Sequence, residues 1–147
     1  FLRAGKSHQR LRHEPGTADI QQRLQQADVV AIVMSVMVDP ELAAALGRFV
    51  RDAVLSQAEA DSIWQTWRQG FPLLDEVPLR PHDDVAREAG RVARVHVLRG
   101  ADAVHVATAL VRMRMSPDPD DVFFLTADRR QADAARAEGL EVELIPA

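Results

Sequence analysis

Three acids in this chain interrupt apolar surroundings: Glu41, Asp102 and Asp128. Asp102 lies in Leu98-Arg-Gly-Ala-Asp-Ala-Val-His-Val-Ala-Thr-Ala-Leu110. Ala103, Val106, Ala107 and Leu110 recur there at helical spacing, so the carboxylate falls in the first turn of a helix with a broad face of small apolar residues. Asp128 ends Val122-Phe-Phe-Leu-Thr-Ala-Asp128, which reads as a short buried strand running into a turn before the next helix. Glu41 opens a helix whose apolar face is Leu42, Ala45, Leu46, Phe49 and Val50. Each acid stands at or near an element's start, where a lone carboxylate serves equally well as a partner of the helix dipole. Brought into one pocket, three carboxylates repel one another and demand a cation. A hard divalent ion such as Mg²⁺ or Mn²⁺ fits oxygen ligands, and its chemistry is water activation and in-line displacement at phosphorus.

Positioning such acids requires the carboxyl ends of strands in an α/β sheet, where ligands bind. The rest of the chain supplies that alternation. Thr17 starts a short helix through Ile20, Leu24 and Ala27, and Asp28 to Val33 reads as a buried parallel strand, with Met34 to Val38 extending its apolar character. Asp39-Pro40 begins a helix, and Ser56-Gln-Ala-Glu59 is a capping box that starts another running to about Gln69. Trp64 and Trp67 on it are read as packing groups rather than base-stacking ones. Leu73 to Leu79 is expected as a strand, and Pro81 opens a helix through Val85, Ala89, Val92 and Ala93 that leads into the Asp102 helix. After the loop at 116–121 come the strand ending at Thr126, a helix through Ala137 stopped by Gly139, and a last strand from Leu140 to Ile145. This order predicts a parallel α/β/α sandwich.

Composition narrows the class. The 147 residues suit one domain, 1–147, and a 47% apolar share with net charge −4 describes an ordinary globular protein without a membrane span. The chain begins at Phe1-Leu2, so the opening of the first strand is expected to be missing. Cysteine is absent, which removes disulfides, thiolate metal sites and a cysteine nucleophile. No basic-then-apolar leader is present, making the cytoplasm the expected location. Of the 18 basic residues all but Lys6 are Arg, and Arg94, Arg99, Arg129 and Arg130 sit beside the acids, where a phosphate backbone would be met.

His105 shares a helix face with Asp102 at i, i+3. A histidine within an apolar helix is more simply a hydrogen-bonded core residue than a metal ligand, and it is read so. His8, His13, His82 and His96 have no metal-ligand spacing.

The segments Leu98 to Leu110, Phe124-Leu-Thr-Ala-Asp-Arg-Arg130, Glu41-Leu-Ala-Ala-Ala-Leu46 and Glu14-Pro15-Gly16 together resemble the PIN-domain ribonucleases, specifically the VapC-like toxins of bacterial toxin–antitoxin pairs. Their order and separations match across nearly the whole chain. The resemblance implies a three-layer α/β/α sandwich with a central parallel sheet of four to five strands. It places the acidic metal site on Glu41, Asp102 and Asp128, with Mg²⁺ or Mn²⁺ as cofactor. Thr126 would line the pocket, and Arg99 and Arg129 would meet the RNA substrate. An antitoxin protein is the implied partner. A homodimer that also binds the antitoxin through the apolar helices between Pro40 and Gln69 is expected as well, on the density of large apolar residues there, Phe49, Val50, Leu55, Ile63, Trp64, Trp67 and Phe71. The sequence departs from the family at Arg3-Ala4-Gly5, where an Asp, a small residue and Ser are expected, and at Met37-Val38-Asp39-Pro40 before the first helical acid. Arg3 therefore raises a second reading, a degenerate domain that binds RNA or an antitoxin without cutting, its guanidinium standing in for the metal. The third possibility is an unrelated α/β scaffold whose acids are caps.

Overall fold

The computed structural model describes residues 32–69, 74–77, 84–118 and 122–145. Within them the chain runs β1 (Ile32–Ser35), α1 (Val38–Arg51), α2 (Gln57–Arg68), β2 (Leu74–Val77), α3 (Asp84–His96), α4 (Gly100–Met115), β3 (Phe123–Thr126), α5 (Arg129–Ala137) and β4 (Glu141–Leu144). This is a mixed α/β protein. Its described strands form two parallel pairs, β1 with β2 and β3 with β4. The order agrees with the sequence expectation, but the boundaries of β1 do not. A continuous apolar run has no internal stop signal, so 28–33 read as the strand. Pairing decides instead: Ile32 sits opposite Leu74 and Ser35 opposite Val77, carrying the strand to Ser35. The early helix, Arg3, Glu14-Pro15-Gly16, residues 28–31 and Phe71 lie outside the described residues.

α4 is the element around which the others pack. Every residue from Asp102 to Leu110 is buried, so this helix is covered on all sides rather than along one face. Its small residues Ala103, Ala107 and Ala109 are fully enclosed, which lets α3, β1, β3 and α5 approach closely. α3 contributes Val85, Ala89 and Val92 to the shared core, β3 contributes Phe124, and α5 contributes Ala135. A second cluster joins Met34 and Val38 to Leu42, Leu46 and Ala60, linking β1, α1 and α2.

Local chemistry explains the element ends. Ser56 accepts from the Glu59 backbone and the Glu59 carboxylate accepts from the Ser56 backbone, the reciprocal cap read from the sequence. Gly139 takes φ 89° after α5, a conformation that suits a residue without Cβ. Val97, in the turn between α3 and α4, also adopts a left-handed backbone, φ 52°, and Arg130 donates to its carbonyl at 2.9 Å. α1 and α2 are tied by Asp39, which accepts from the Trp67 indole at 2.6 Å and from Arg68 at 2.7 Å. Trp64 and Trp67 pack against the second core cluster, together with Val50, Leu55 and Ile63. The apolar density read as a dimer face thus has an intramolecular use.

Candidate active site

Two strand ends organise the acids. Ser35 is the last residue of β1 and Thr126 the last of β3, and both are 2% exposed. Each hydroxyl accepts a backbone N–H from two residues onward, Met37 to Ser35 at 3.3 Å and Asp128 to Thr126 at 3.1 Å. Each then faces a polar side chain borne on a helix. Ser35 Oγ lies 3.0 Å from His105 Nδ1, and Thr126 Oγ1 donates to Gln131 Oε1 at 3.0 Å. Those side chains in turn reach an acid: His105 Nε2 lies 3.1 Å from Glu41 Oε2, and Gln131 Nε2 donates to Asp102 Oδ1 at 2.8 Å.

The directions of these bonds follow from the groups. An ionised carboxylate only accepts, so the imidazole nitrogen facing Glu41 carries the hydrogen. In a neutral ring Nδ1 is then the acceptor, and Ser35 must donate to it. Both chains run from a backbone N–H through a hydroxyl and a polar side chain to one carboxylate oxygen. His105 and Gln131 are each 1% exposed, whereas Asp102 is 8% exposed and the Glu41 side chain 20%. The acids therefore occupy the outward ends of two buried polar chains. Buried polar groups without partners would cost about 1–3 kcal/mol each, and here each of the four linking groups is bonded.

Asp102 and His105 are one turn apart on α4, where side chains begin about 5–6 Å from each other. Glu41, bound to His105, is thereby brought to the same helix face as Asp102, although 61 positions separate them in sequence. Asp102 also lies in the first turn of α4, where the helix dipole favours an anion. Asp128 is placed differently. It is the N-cap of α5, with Oδ1 accepting from the backbone N–H groups of Arg130 at 2.9 Å and Gln131 at 3.3 Å. Among the described residues no three acids or histidines form a group that could hold a metal ion. The structure joins Glu41 to Asp102 through α4, and Asp128 to Asp102 through Thr126 and Gln131.

Arg99 and Arg129 are exposed at the starts of α4 and α5. Thr126 is enclosed, with its hydroxyl engaged by Gln131 and the Asp128 backbone. His105 is the hydrogen-bonded core histidine expected from its setting. Ser35 and Gln131 were not singled out by sequence. The available signal was polarity at buried positions: Gln131 falls on the α5 stripe with Ala132, Ala134 and Ala135.

A hard divalent cation is compatible with this donor set. Glu41 and Asp102 offer carboxylate oxygen, Glu41 beside His105 Nε2 and Asp102 accepting from Gln131 Nε2. Mg²⁺ is commonly held by one or two carboxylates with water and substrate phosphate completing the shell.

A second polar network lies on α3. Arg91 bridges Glu88 and Glu138, His96 Nε2 stands 2.6 Å from Glu138, and Arg114 donates to Glu88 at 2.6 Å. The Arg91 hydrogen bonds, reinforced by His96, hold the Glu138 carboxyl down at about 2. Arg91 and Arg114 likewise keep Glu88 below the ordinary carboxylate range against the opposing effect of burial.

Fold and site together define an α/β protein that presents carboxylates beside the ends of parallel strands. The chain matches no family model. It is 36% identical over 112 residues to Ribonuclease VapC45 of Mycobacterium tuberculosis strain CDC 1551 / Oshkosh. It matches Ribonuclease VapC49 of Mycobacterium tuberculosis strain ATCC 25618 / H37Rv to the same degree, the aligned stretch covering 76% of this chain and 73% of that relative. The chain belongs to the VapC ribonucleases, the PIN-domain toxin family that its motifs resemble.

Proposed function

We propose that this protein is a Mg²⁺- or Mn²⁺-dependent endoribonuclease toxin. The observation that supports the reading is that Glu41 and Asp102 are each hydrogen-bonded to a buried side chain, His105 or Gln131, that is itself bonded to a hydroxyl at a strand end. Membership of a family whose relatives are named ribonucleases supports RNA as the substrate. Glu41 and Asp102 would hold the cation, and Asp128 would complete the acidic rim or position water. When bound, the cation supplies positive charge to the scissile phosphate and makes the attacking water more acidic. Exposed Arg99 and Arg129 would meet flanking phosphates, and Thr126 would shape the pocket floor through Gln131. The proposed frame is the three-layer α/β/α sandwich with four to five parallel strands. A protein antitoxin, a homodimeric state and a cytoplasmic location complete the reading; among the described residues no helix is long and apolar enough to cross a membrane.

Arg3, in place of the family's Asp, favours a second reading in which the domain binds RNA or its antitoxin without cutting. Incubation of total and transfer RNA with the protein, with and without Mg²⁺, separates the two. Cleavage that requires the cation is expected. RNA retention without cleavage at any Mg²⁺ or Mn²⁺ concentration would overturn the first reading in favour of the second. Light scattering tests the dimer, and a monomer at high concentration would defeat it.

A further inference from the structure

We infer that the α3–α4 turn and the start of α5 form a surface that holds unpaired RNA, with Arg94, Arg99, Arg129 and Arg130 meeting phosphates and Val95 and Val97 lying against bases or riboses. The inference rests on RNA as the substrate class of the reading above, but it needs neither the acids nor a cation. One hydrogen bond assembles the surface. Arg130 Nη2 donates to the Val97 carbonyl at 2.9 Å, so the first turn of α5 is fixed to the turn between α3 and α4. Arg94, Val95 and Arg99 lie within three residues of Val97, and Arg129 is adjacent to Arg130. All four arginines and both valines are exposed.

The arginine ion pairs among the described residues use Arg51, Arg68, Arg87, Arg91, Arg114 and Arg136, not these four. Three of the four stand where a cation is unfavourable. Arg99 is the N-cap of α4 without a capping hydrogen bond, and Arg129 and Arg130 open α5, whose first turn holds no acid beyond the cap Asp128. The positive end of a helix dipole disfavours a cation, so these arginines do not stabilise the helices that carry them. The neighbouring carboxylates have other uses: Asp128 caps α5, Asp133 pairs with Arg136 at 3.7 Å, and Asp102 accepts from Gln131. Val97 is a further anomaly. A β-branched residue at φ 52° is strained, and at 74% exposure its side chain has little packing to offset the strain. Val95 beside it is 54% exposed. A polyanion with apolar faces answers both features, supplying negative charge to the arginines and cover to the valines. A guanidinium pairs with two phosphate oxygens at once and also stacks on a base, and Arg130 keeps donors beyond the one given to Val97. Base faces are open in a single strand and hidden in a duplex, which assigns the surface to unpaired RNA.

Titration of labelled polyuridylate with the full chain in EDTA, at several salt concentrations, tests the surface apart from cleavage. The parent is expected to bind it, and more tightly than a polyadenylate–polyuridylate duplex. Each phosphate contact on a single strand contributes about 0.7 to the steepness with which log affinity falls against log salt. Arg94→Ala and Arg129→Ala are each expected to reduce that steepness by about 0.7, and the double variant by about 1.4. Val97→Ser is expected to weaken binding by about three- to tenfold with the salt dependence unchanged, the mark of a lost apolar contact. Arg48→Ala, which removes an equal charge from an exposed position on α1, is expected to keep the parent's salt dependence. All of these side chains are exposed, and thermal melts identify any variant that fails to fold. Parent-like salt dependence in folded Arg94→Ala and Arg129→Ala, or no binding of polyuridylate by the parent, overturns the inference. A preference for the duplex overturns the assignment to unpaired RNA, and binding of polyglutamate in place of polyuridylate overturns it in favour of an acidic protein segment. Polyuridylate binding that follows this pattern in a chain that cuts no RNA with Mg²⁺ supports the surface and defeats only the nuclease reading.

Discussion

Ser35 and His105 stand 70 positions apart in sequence, yet their side chains meet at 3.0 Å in the buried interior. This contact fastens the end of β1 to the middle of α4 and orients the imidazole toward Glu41. It also makes the proposed acidic site depend on the packing of α4, the most enclosed of the described helices.

Glu41→Gln and Asp102→Asn are expected to reduce RNA cleavage by at least about 10²-fold, in the range usual for groups acting directly on the reaction. Both substitutions keep the side chain's shape. Mn²⁺ calorimetry and circular dichroism on the same samples check that lost activity follows lost metal affinity rather than lost fold.

Asp128 caps α5, and the further role it has under the proposed function can be separated from the cap by substitution. Asparagine caps helices about as well as aspartate, so Asp128→Asn is expected to leave the melting temperature nearly unchanged, while Asp128→Ala costs about 1 kcal/mol. Under the proposed function Asp128→Asn nevertheless lowers cleavage. Unchanged cleavage would leave Asp128 as the cap of α5 and nothing more.

The Glu138 network sets an acid limb in stability. Its carboxyl is held down at about 2, chiefly by Arg91, against an ordinary value of 4.5. A depressed acid stabilises the folded state above the unfolded value, and that contribution is lost as pH falls through the folded one. Thermal melts should therefore show stability declining between about pH 4.5 and about 2. Glu138→Gln is expected to flatten this limb, and an unchanged acid profile would count against the network.

Val97 holds φ 52° and is 74% exposed. A left-handed backbone costs a residue with Cβ about 1–2 kcal/mol, partly offset in the comparison by the greater unfolded entropy of glycine. Val97→Gly is expected to stabilise by about 0.5–1 kcal/mol, read as a higher melting temperature. A lower one would mean that the valine side chain contributes packing that outweighs the strain.

If Arg3 impairs the site, Arg3→Asp should raise Mn²⁺ affinity at least tenfold, equivalent to about 1.4 kcal/mol. Arg3→Ala is expected to recover only part of it, since it removes a competing charge without adding a ligand. Tight Mn²⁺ binding by the unaltered chain would show that Arg3 does not obstruct the cation.

The order of elements was legible because the signals that carry it are local. Apolar periodicity along α4, the Ser56 and Glu59 capping box, and Gly139 after α5 each act within a few residues. Glu41, Asp102 and Asp128 stood out for the same reason, as acids set in apolar surroundings. The end of β1 was not legible, because a run of Val, Ile and Met suits a strand at any register and only pairing with β2 settles it. Nor could spacing reveal the supports of the acids. Ser35 and Gln131 are ordinary polar residues in sequence, and they acquire a role only when packing encloses them and a buried hydroxyl or amide must find a partner. The chain's composition and periodicity determined which helices and strands form and which acids are anomalous. Tertiary structure decided that Glu41 reaches the Asp102 turn through His105, that Gln131 reaches Asp102, and that Asp128 caps a helix, because hydrogen bonds between distant segments exist only after the core has brought those segments together.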